Sequence, residues 1–402
     1  MAFNYTRYGS YIGSTVNLKA SESTKIGVFQ NAPYKPSLFA MERLSFTSSK
    51  EGLYGPNLGT ARVGISLFVD GIQSAFTDTS WKFFLSNFNV IDNGIMQFTV
   101  PETAKYIIRA EGAGHSSAST SNTHGGGARI QASFNLEIGK FLWILVGQTN
   151  NQPDSSRAFA GGAGGSFVTY GDVFATSVPL VIAGGGGFLR SGIASQTNNG
   201  KIPNDHINGQ TSTQSGEGRT NGSSNFGQRG LGGHNQSTGG TAAGFVQDGS
   251  THTDLRSVPT SFTFDNGGGA VTYNYSGSYD EAKRFHNGGA GGQFRTLFDL
   301  QYIGDGGFGG GGPGGWGGEG GGGGYSGGGN GDNNNASFSG GGGSFISENI
   351  ADANDLATST GTWTLAGSVS SHGTYVPLAS ASGLTNFGNY RSNNGQVSLI
   401  KV

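Results

Sequence analysis

The seven histidines are the side chains of this sequence most suited to binding a metal or moving a proton, and their spacing favours neither role. The sequence contains no His-x-Glu or Glu-x-x-His pair, the spacing that brings two such side chains to one metal. We therefore expect histidines in solvent-exposed loops, and we predict neither a metal site nor a cofactor. They stand at positions 115, 124, 206, 234, 252, 286 and 372.

The sequence offers only weak indications of two other chemistries, phosphate binding and glycan cleavage. Glycine-rich runs cradle phosphate when Gly-Lys-Ser or Gly-Lys-Thr follows, and no run here ends in that way. Two carboxylates can cleave a glycosidic bond, and because their pairing is spatial the sequence leaves glycan cleavage open as a distant alternative. The chain has only 25 acidic residues and no parallel β-helix pattern. We predict a protein that is not an enzyme.

Tyrosines give a stronger indication, and it is one of binding. A polar stretch at 270–285, AVTYNYSGSYDEAKRF, contains three of them, and a fourth interrupts the longest glycine tract near Trp316. Tyrosine offers a rigid, amphipathic contact surface at low entropic cost. Apolar cover for packed glycines is the alternative role of the two aromatic residues in the tract. We predict that four tyrosines contact a receptor: Tyr273, Tyr275, Tyr279 and Tyr325.

Composition narrows the class of partner. Of 402 residues, 77 are glycine and none is cysteine, and the formal net charge is −2. A chain with so little charge lacks the basic surface that binds phosphate backbones, so we predict no nucleic-acid partner. The absence of cysteine excludes disulfides and thiolate metal sites. The first twenty residues lack a secretion signal, and no window approaches about 20 apolar residues, so we predict no membrane insertion.

The elements that must position these residues are β-strands. In the stretch 129–136 the residues Ile130, Ala132, Phe134 and Leu136 alternate with polar ones, which is typical of a half-buried strand. FLWILVG, at 141–147, is apolar on both faces and is predicted to lie centrally in a sheet. Only 347–358 could form a turn or two of helix, so we predict an all-β fold. Further strand-like segments are 25–30, 63–71, 81–90, 94–115 (two strands around a turn at Pro101-Glu102), 164–170, 178–187, 340–347 and 395–402.

The glycines require an explanation of their own, above all in the tract 305–345. Fixing one backbone residue costs on the order of 1–2 kcal/mol, and glycine has no side chain whose burial offsets that cost. The tract is therefore either a flexible linker or a set of packed polyglycine II helices, with three residues per turn. Separate glycine runs that adjoin strands favour packed helices. Representative structural positions are Gly310, Gly322, Gly323 and Gly341.

The order of these segments resembles the glycine-rich domain of many phage tail proteins. A similar order occurs in the ectodomains of the anaplastic lymphoma and leukocyte receptor tyrosine kinases, and tip adhesins of some phage tail fibres also use polyglycine helices. The resemblance covers about 95–402, and the upstream YGPNLGTARVG with Trp81 resembles the module that precedes such domains. The segments are QFTVPETAKYIIRAEGAGH, GGGARIQASFNLEIGKFLWILVGQ, AGGAGGSFVTY, PLVIAGGGG, GGGGGYSGGG, GGGGSF and GQVSLIKV.

The resemblance implies a β-sandwich, similar to that of tumour necrosis factor, which carries packed polyglycine II helices. It divides the chain into an N-terminal β-rich module, 1–93, and a glycine-rich domain, 94–402, with a polar insertion at about 188–303. Two features depart from the family pattern. The insertion is longer and more polar than the pattern needs, and GAGHSSASTSNTHGGG replaces the first glycine run.

The resemblance also implies a function. We expect a phage virion fibre or tail-tip protein, assembled in the host cytoplasm as part of an oligomeric fibre or assembly. Its N-terminal module would attach to other virion proteins, and its glycine-rich domain would contact a host surface glycan or outer-membrane protein. The alternative is a structural virion adaptor or decoration protein that never touches the host. Predicted attachment residues are Phe3, Tyr5, Tyr8 and Tyr11.

Overall fold

Antiparallel β-strands make up most of the regular structure. The computed structural model describes the following residues, to which all structural statements below refer: 2–6, 15–19, 41–69, 72–75, 79–91, 94–114, 125–149, 160–188, 218–220, 223–225, 232, 240–249, 262–265, 270–273, 277–296, 304–314, 319–331, 338–347 and 394–402. The prediction of an all-β fold is confirmed. The strand predicted at 25–30, and the helical turn at 347–358 beyond Ser347, lie outside these residues.

Two six-stranded antiparallel sheets form the main body. Sheet I contains, in spatial order, β19 (Phe345–Ile346), β12 (Val178–Ala183), β11 (Ser166–Tyr170), β10 (Phe141–Leu145), β7 (Met96–Thr99) and β6 (Phe88–Val90). Sheet II contains, in spatial order, β5 (Ile72–Gln73), β4 (Ile65–Val69), β3 (Met41–Thr47), β20 (Gln396–Lys401), β8 (Ala104–Glu111) and β9 (Arg129–Leu136). Apolar side chains from both sheets share one buried cluster, as in a β-sandwich.

The periodicity of the sequence accounts for the core. Ile130 and Ala132 of β9 are buried in the cluster, as are Phe134 and Leu136, which confirms the predicted apolar face. β10 lies between β11 and β7, which confirms its predicted central position. A strand with neighbours on both sides and cover on both faces needs apolar residues at successive positions.

Both sheets combine strands from the two ends of the sequence. In sheet II, β3 pairs with β20, so that Leu44 lies opposite Leu399, and in sheet I, β6 pairs with β7. The boundary predicted between residues 93 and 94 therefore passes through both sheets and through their common core. Strand pairing thus continues across the boundary that the resemblance implied.

Two short helices lie near the N-terminal end of the main body, and the second replaces part of a predicted strand. Helix α1 (Leu58–Val63) begins after Asn57, whose side chain accepts a hydrogen bond from the Thr60 amide. Helix α2 (Thr79–Ser86) occupies the first part of a segment predicted as a strand. Trp81 and Phe84 are buried, three residues apart, which is a helical spacing. No helix within the described residues is long and apolar enough to cross a membrane.

Four two-stranded hairpins complete the described strands. One lies at the N-terminus, and three lie in the polar insertion predicted at about 188–303. They are β1 (Ala2–Thr6) with β2 (Thr15–Lys19), β13 (Gly218–Thr220) with β14 (Ser223–Asn225), β15 (Phe262–Asp265) with β16 (Ala270–Tyr273), and β17 (Gly277–Asp280) with β18 (Gln293–Thr296).

Candidate functional site: a glycine lattice at one end of the sandwich

Glycine-rich runs adjoin the core strands at one end of the sandwich. β8 continues into residues 112–114, β12 continues into residues 184–188, and residues 160–165 lead into β11. The start of β11 pairs with the end of β12, because Ser166 lies opposite Ala183. We call this the lattice end of the sandwich. The opposite end, where β3 starts and β20 finishes, is the base.

The runs pack together into a buried block, which we call the glycine lattice. All its residues are buried except Ala290 and Asp305, which are half-buried. Because glycine lacks a side chain, this burial consists almost entirely of backbone against backbone. The lattice comprises residues 112–114, 125–128, 160–165, 184–188, 240–244, 289–292, 304–314, 319–331 and 338–344.

Hydrogen bonds between neighbouring runs repeat every third residue. The amides of Gly320 and Gly323 donate to the carbonyls of Ala160 and Ala163, each at 2.9 Å. A β-ladder has a period of two residues, whereas polyglycine II has three residues per turn, so this is the pattern expected of packed polyglycine II helices. The same three-residue spacing recurs in four further sets of amide-to-carbonyl bonds. They are Gly322 to Gly340 with Tyr325 to Gly343, Ser339 to Phe188 with Gly342 to Gly185, Gly340 to Gly329 with Gly343 to Ser326, and Gly328 to Gly322 with Gly331 to Glu319.

Close approach explains why the lattice requires glycine. A Cβ atom on Gly322 would collide with the carbonyl oxygen of Gly185 and would lie 2.8 Å from its carbonyl carbon. A Cβ atom on Gly323 would collide with the Gly309 carbonyl in the same way. Backbone atoms cannot rotate away as side-chain ends can, so any larger residue must push two runs apart.

The other two predicted structural glycines have different surroundings. Gly310 lies in a turn with φ of 79°, a left-handed conformation that glycine adopts at little cost. An added Cβ there would lie 3.1 Å from the Cβ of Ala243, which is a less severe contact than at Gly322. Gly341 is buried within the run 338–344. Gly310 is therefore required mainly by its backbone angle.

An aromatic seam joins the lattice to sheet I. Tyr325 stacks on Phe345 of β19 at a centroid distance of 4.7 Å and on Phe245 at 6.4 Å. Phe285 stacks on Phe245 at 6.0 Å and on Phe167 of β11 at 5.4 Å. These five rings form the aromatic seam. Phe245 and Phe285 belong to the polar insertion, and they anchor the described segments in which they lie, 240–249 and 277–296, against the sandwich.

Tyr325 is therefore a packing residue in this structure. Its side chain is 1% exposed, which is incompatible with the receptor contact predicted for it. Burial also raises the pKa of the Tyr325 phenol above its ordinary value. The alternative role considered from sequence, apolar cover for packed glycines, fits this position.

His286 lies beside the seam and differs from the exposed loop histidine that was expected. Its ring contacts those of Phe174, Phe245 and Phe285 at centroid distances of 5.0 to 5.5 Å. Its Nε2 atom lies 3.1 Å from the carbonyl oxygen of Ser177. Burial, with a smaller contribution from the Arg284 charge, lowers the pKa of His286 to about 4, against the opposing effect of the bond to Ser177.

The contact of His286 with Ser177 is structural. In the neutral ring, an Nε2 that donates to the Ser177 carbonyl already carries its proton, so it cannot accept one from the Ser177 hydroxyl, 3.2 Å away. That hydroxyl lies 2.8 Å from the carbonyl oxygen of Phe174, to which it donates. The other six histidines lie outside the described residues. Within the described part of the chain, no group of three or more His, Asp or Glu residues could hold a metal ion.

Several runs are joined to one another at ends that lie some residues along the chain from the sandwich strands, such as Phe188 after β12 ends at Ala183. The amide of Gly314 donates to Gly304 at 2.7 Å, and the amide of Gly331 donates to Glu319 at 3.0 Å. Phe188 accepts from Ser339 at 2.9 Å. Each of Phe188, Gly304, Gly314, Glu319 and Gly331 borders a segment outside the described residues. We call these five residues the tip of the lattice.

The structure describes only some of the remaining residues that were predicted to bind a receptor or other virion proteins. Tyr273 belongs to β16 and Tyr279 to β17, whereas Tyr275 lies outside the described residues. Phe3 and Tyr5 lie on β1. Tyr8, Tyr11 and Trp316 also lie outside the described residues.

Sequence reasoning missed the anchors of the insertion. Phe245, Phe285 and His286 stand in polar surroundings and lack a neighbouring apolar periodicity. The available signal was an isolated aromatic residue beside glycines, in GFV at 244–246 and RFHNGG at 284–289. Comparison with known proteins finds no protein-family model that matches the sequence, and no curated protein with a significant match.

Proposed function

We propose that this protein is a phage virion fibre or tail-tip protein, attached through its N-terminal part and carrying its glycine lattice outward for recognition of the host surface. The observation that carries the proposal is that the two ends of the sandwich differ: the chain enters at the base, and the glycine lattice lies at the other end. β3 begins at Met41 at the base of the sandwich, so the chain enters the sandwich at that end. The lattice and its tip lie at the opposite end.

The lattice is suited to hold connecting segments in fixed positions. Its runs are joined laterally by backbone hydrogen bonds of 2.7 to 3.4 Å, such as those of Gly323 with Ala163 at 2.9 Å and Tyr325 with Gly343 at 2.7 Å. Because these bonds do not depend on side-chain chemistry, the segments at the tip can differ in sequence without loss of the platform. A rigid scaffold with variable connections is a common arrangement for binding sites.

The N-terminal hairpin supports attachment at the base. Its register places Phe3 opposite Leu18 and Tyr5 opposite Val16. An isolated two-stranded hairpin is marginally stable in water. Cover from another virion protein would stabilise it, which agrees with the attachment role proposed for Phe3 and Tyr5.

Two deletions test the proposal by their separate effects. A protein that lacks residues 1–20 should still bind host cells but should no longer enter particles. A protein whose residues 332–337 are replaced by Gly-Ser repeats of equal length should enter particles but should bind cells more weakly. Binding is measured with fluorescently labelled protein, and competition by intact particles shows that the cell-surface site is shared.

The outcomes separate the candidate functions. If the intact protein does not bind cells or envelope fractions but particles fall apart without it, the structural adaptor or decoration role replaces host recognition. Release of sugar from purified envelope polysaccharide would instead identify an enzyme. The tumour-necrosis-factor-like form of the sandwich, and the proposed oligomeric assembly, rest on the resemblance described above.

A further inference from the structure

The outer face of sheet II carries three cations without acidic partners. Arg43 of β3, Lys105 of β8 and Arg109 of β8 all point away from the core, because the alternate residues of these strands are buried. Among the described ion pairs, none includes these three residues, and Arg109 bonds only to the amide oxygen of Gln131, at 3.1 Å. Three uncompensated positive charges on one face stand out in a chain whose formal net charge is −2.

An apolar row separates these cations. Arg43 lies opposite Ile400, which in turn lies opposite Ile107, and both isoleucines are half-buried. The Arg43 guanidinium also stacks 3.9 Å above the ring of Phe68, which holds it against the sheet. Arg43 and Arg109 are two strands and about two residues apart, or roughly 12 Å by standard sheet spacings. We call Arg43, Lys105, Arg109, Ile107 and Ile400 the basic face.

We infer that the basic face is a docking surface for an acidic protein segment that also carries apolar side chains. Protein interfaces combine an apolar centre with a polar rim, and arginine is enriched in them. Here the isoleucines supply the centre and the three cations supply the rim. Uncompensated charge of one sign attracts a partner of the opposite sign and orients it during association.

The polar groups between the cations favour a protein, rather than a glycan, as the ligand of the basic face. Ser45 and Ser398 are each 5% exposed and bond to each other at 3.0 Å, so they are not free to bind sugar hydroxyls. Toward β9, Gln131 and Ser133 are 4% and 5% exposed, and Asn135, which lies opposite Lys105, is exposed at the edge of the face. Around the two isoleucines the accessible groups are thus mainly the three cations and the aliphatic side chains.

A defined probe tests this inference. A fluorescein-labelled peptide of five Glu-Val repeats presents acidic side chains on one face of a strand and apolar ones on the other. Fluorescence anisotropy with the full chain at 25 mM NaCl should show saturable binding, which weakens at least tenfold at 250 mM NaCl as charges are screened. The Arg43→Gln/Arg109→Gln variant should bind at least tenfold more weakly than the parent.

A matched variant and a second ligand class complete the test. Lys50→Gln/Lys82→Gln removes two exposed cations from the loop after β3 and from α2, and it should leave binding unchanged. Thermal melts confirm that both double variants remain folded. Absence of peptide binding, equal loss in both variants, or binding of polygalacturonate in place of the peptide would overturn the inference. It does not depend on the function proposed above.

Discussion

Gly322 lies where three backbone segments meet, and it tests the lattice at the scale of a single residue. Its amide donates to Gly340, its carbonyl accepts from Gly328, and its Cα faces the Gly185 carbonyl. The Gly322→Val substitution should lower the free energy of unfolding by several kcal/mol, because the runs must separate and hydrogen bonds are lost. Thermal melts of variant and parent measure this as a fall of several degrees.

Gly59 provides the matched control for that substitution. It lies in α1 at the surface, where an added Cβ would make an ordinary contact of 3.4 Å with the Asn57 side chain. Gly59→Ala should leave the melting temperature unchanged or raise it slightly. A Gly322→Val protein that melts with or above the parent would show that the tract 305–345 is only a tether.

His286 makes stability depend on pH. Its pKa is about 4 in the folded protein and near 6.5 when the chain unfolds, so below pH 6.5 the unfolded state binds the proton first. The free energy of unfolding should therefore fall by up to about 3 kcal/mol as the pH falls from 6.5 through 4. Urea unfolding of the parent and His286→Phe at pH 7 and pH 4.5 measures this loss, which the variant should largely lack. A parallel decline in both proteins would assign the acid sensitivity to other groups.

At the scale of elements, the N-terminal hairpin forms a sheet of its own. β1 and β2 pair with each other, whereas the strands of sheet II begin with β3 at Met41. Deletion of residues 1–20 should leave a soluble protein with an unchanged melting temperature that no longer enters particles. Counting copies per particle by quantitative gel staining checks the second part. Normal copy number with the truncated protein would show that the hairpin is not needed for attachment.

At the scale of the whole molecule, the base and the tip should lie at different distances from the particle. The chain contains no cysteine, so a single introduced cysteine gives one labelling site. Ile138 is 64% exposed in the turn between β9 and β10, at the base, and residue Asn334 stands between two runs that end at the tip. Electron microscopy of particles labelled with maleimide gold should place Asn334→Cys outside Ile138→Cys. The reverse order would refute the proposed orientation.

The fold class was determined by the sequence, because strand periodicity is a local property of the backbone. Alternation in β9 and the continuous apolar run of β10 each report which faces are covered, without knowledge of the neighbouring strands. The separate glycine runs also indicated backbone packing, since only close packing compensates for ordering so much glycine. The helical spacing of Trp81 and Phe84 was equally local but was hidden among strand-like aromatic residues.

Only the tertiary structure decided which segments meet. Glycine runs are chemically alike, so no sequence feature selects Ala160 and Ala163 as the acceptors for Gly320 and Gly323. That choice follows from the sheets, which fix where each run leaves the sandwich. The pairing of β3 with β20, and the burial of Tyr325 and His286 in contacts with distant segments, likewise depend on residues far apart in the chain. Local periodicity does not encode such pairings, because they arise when the two sheets close around a common core.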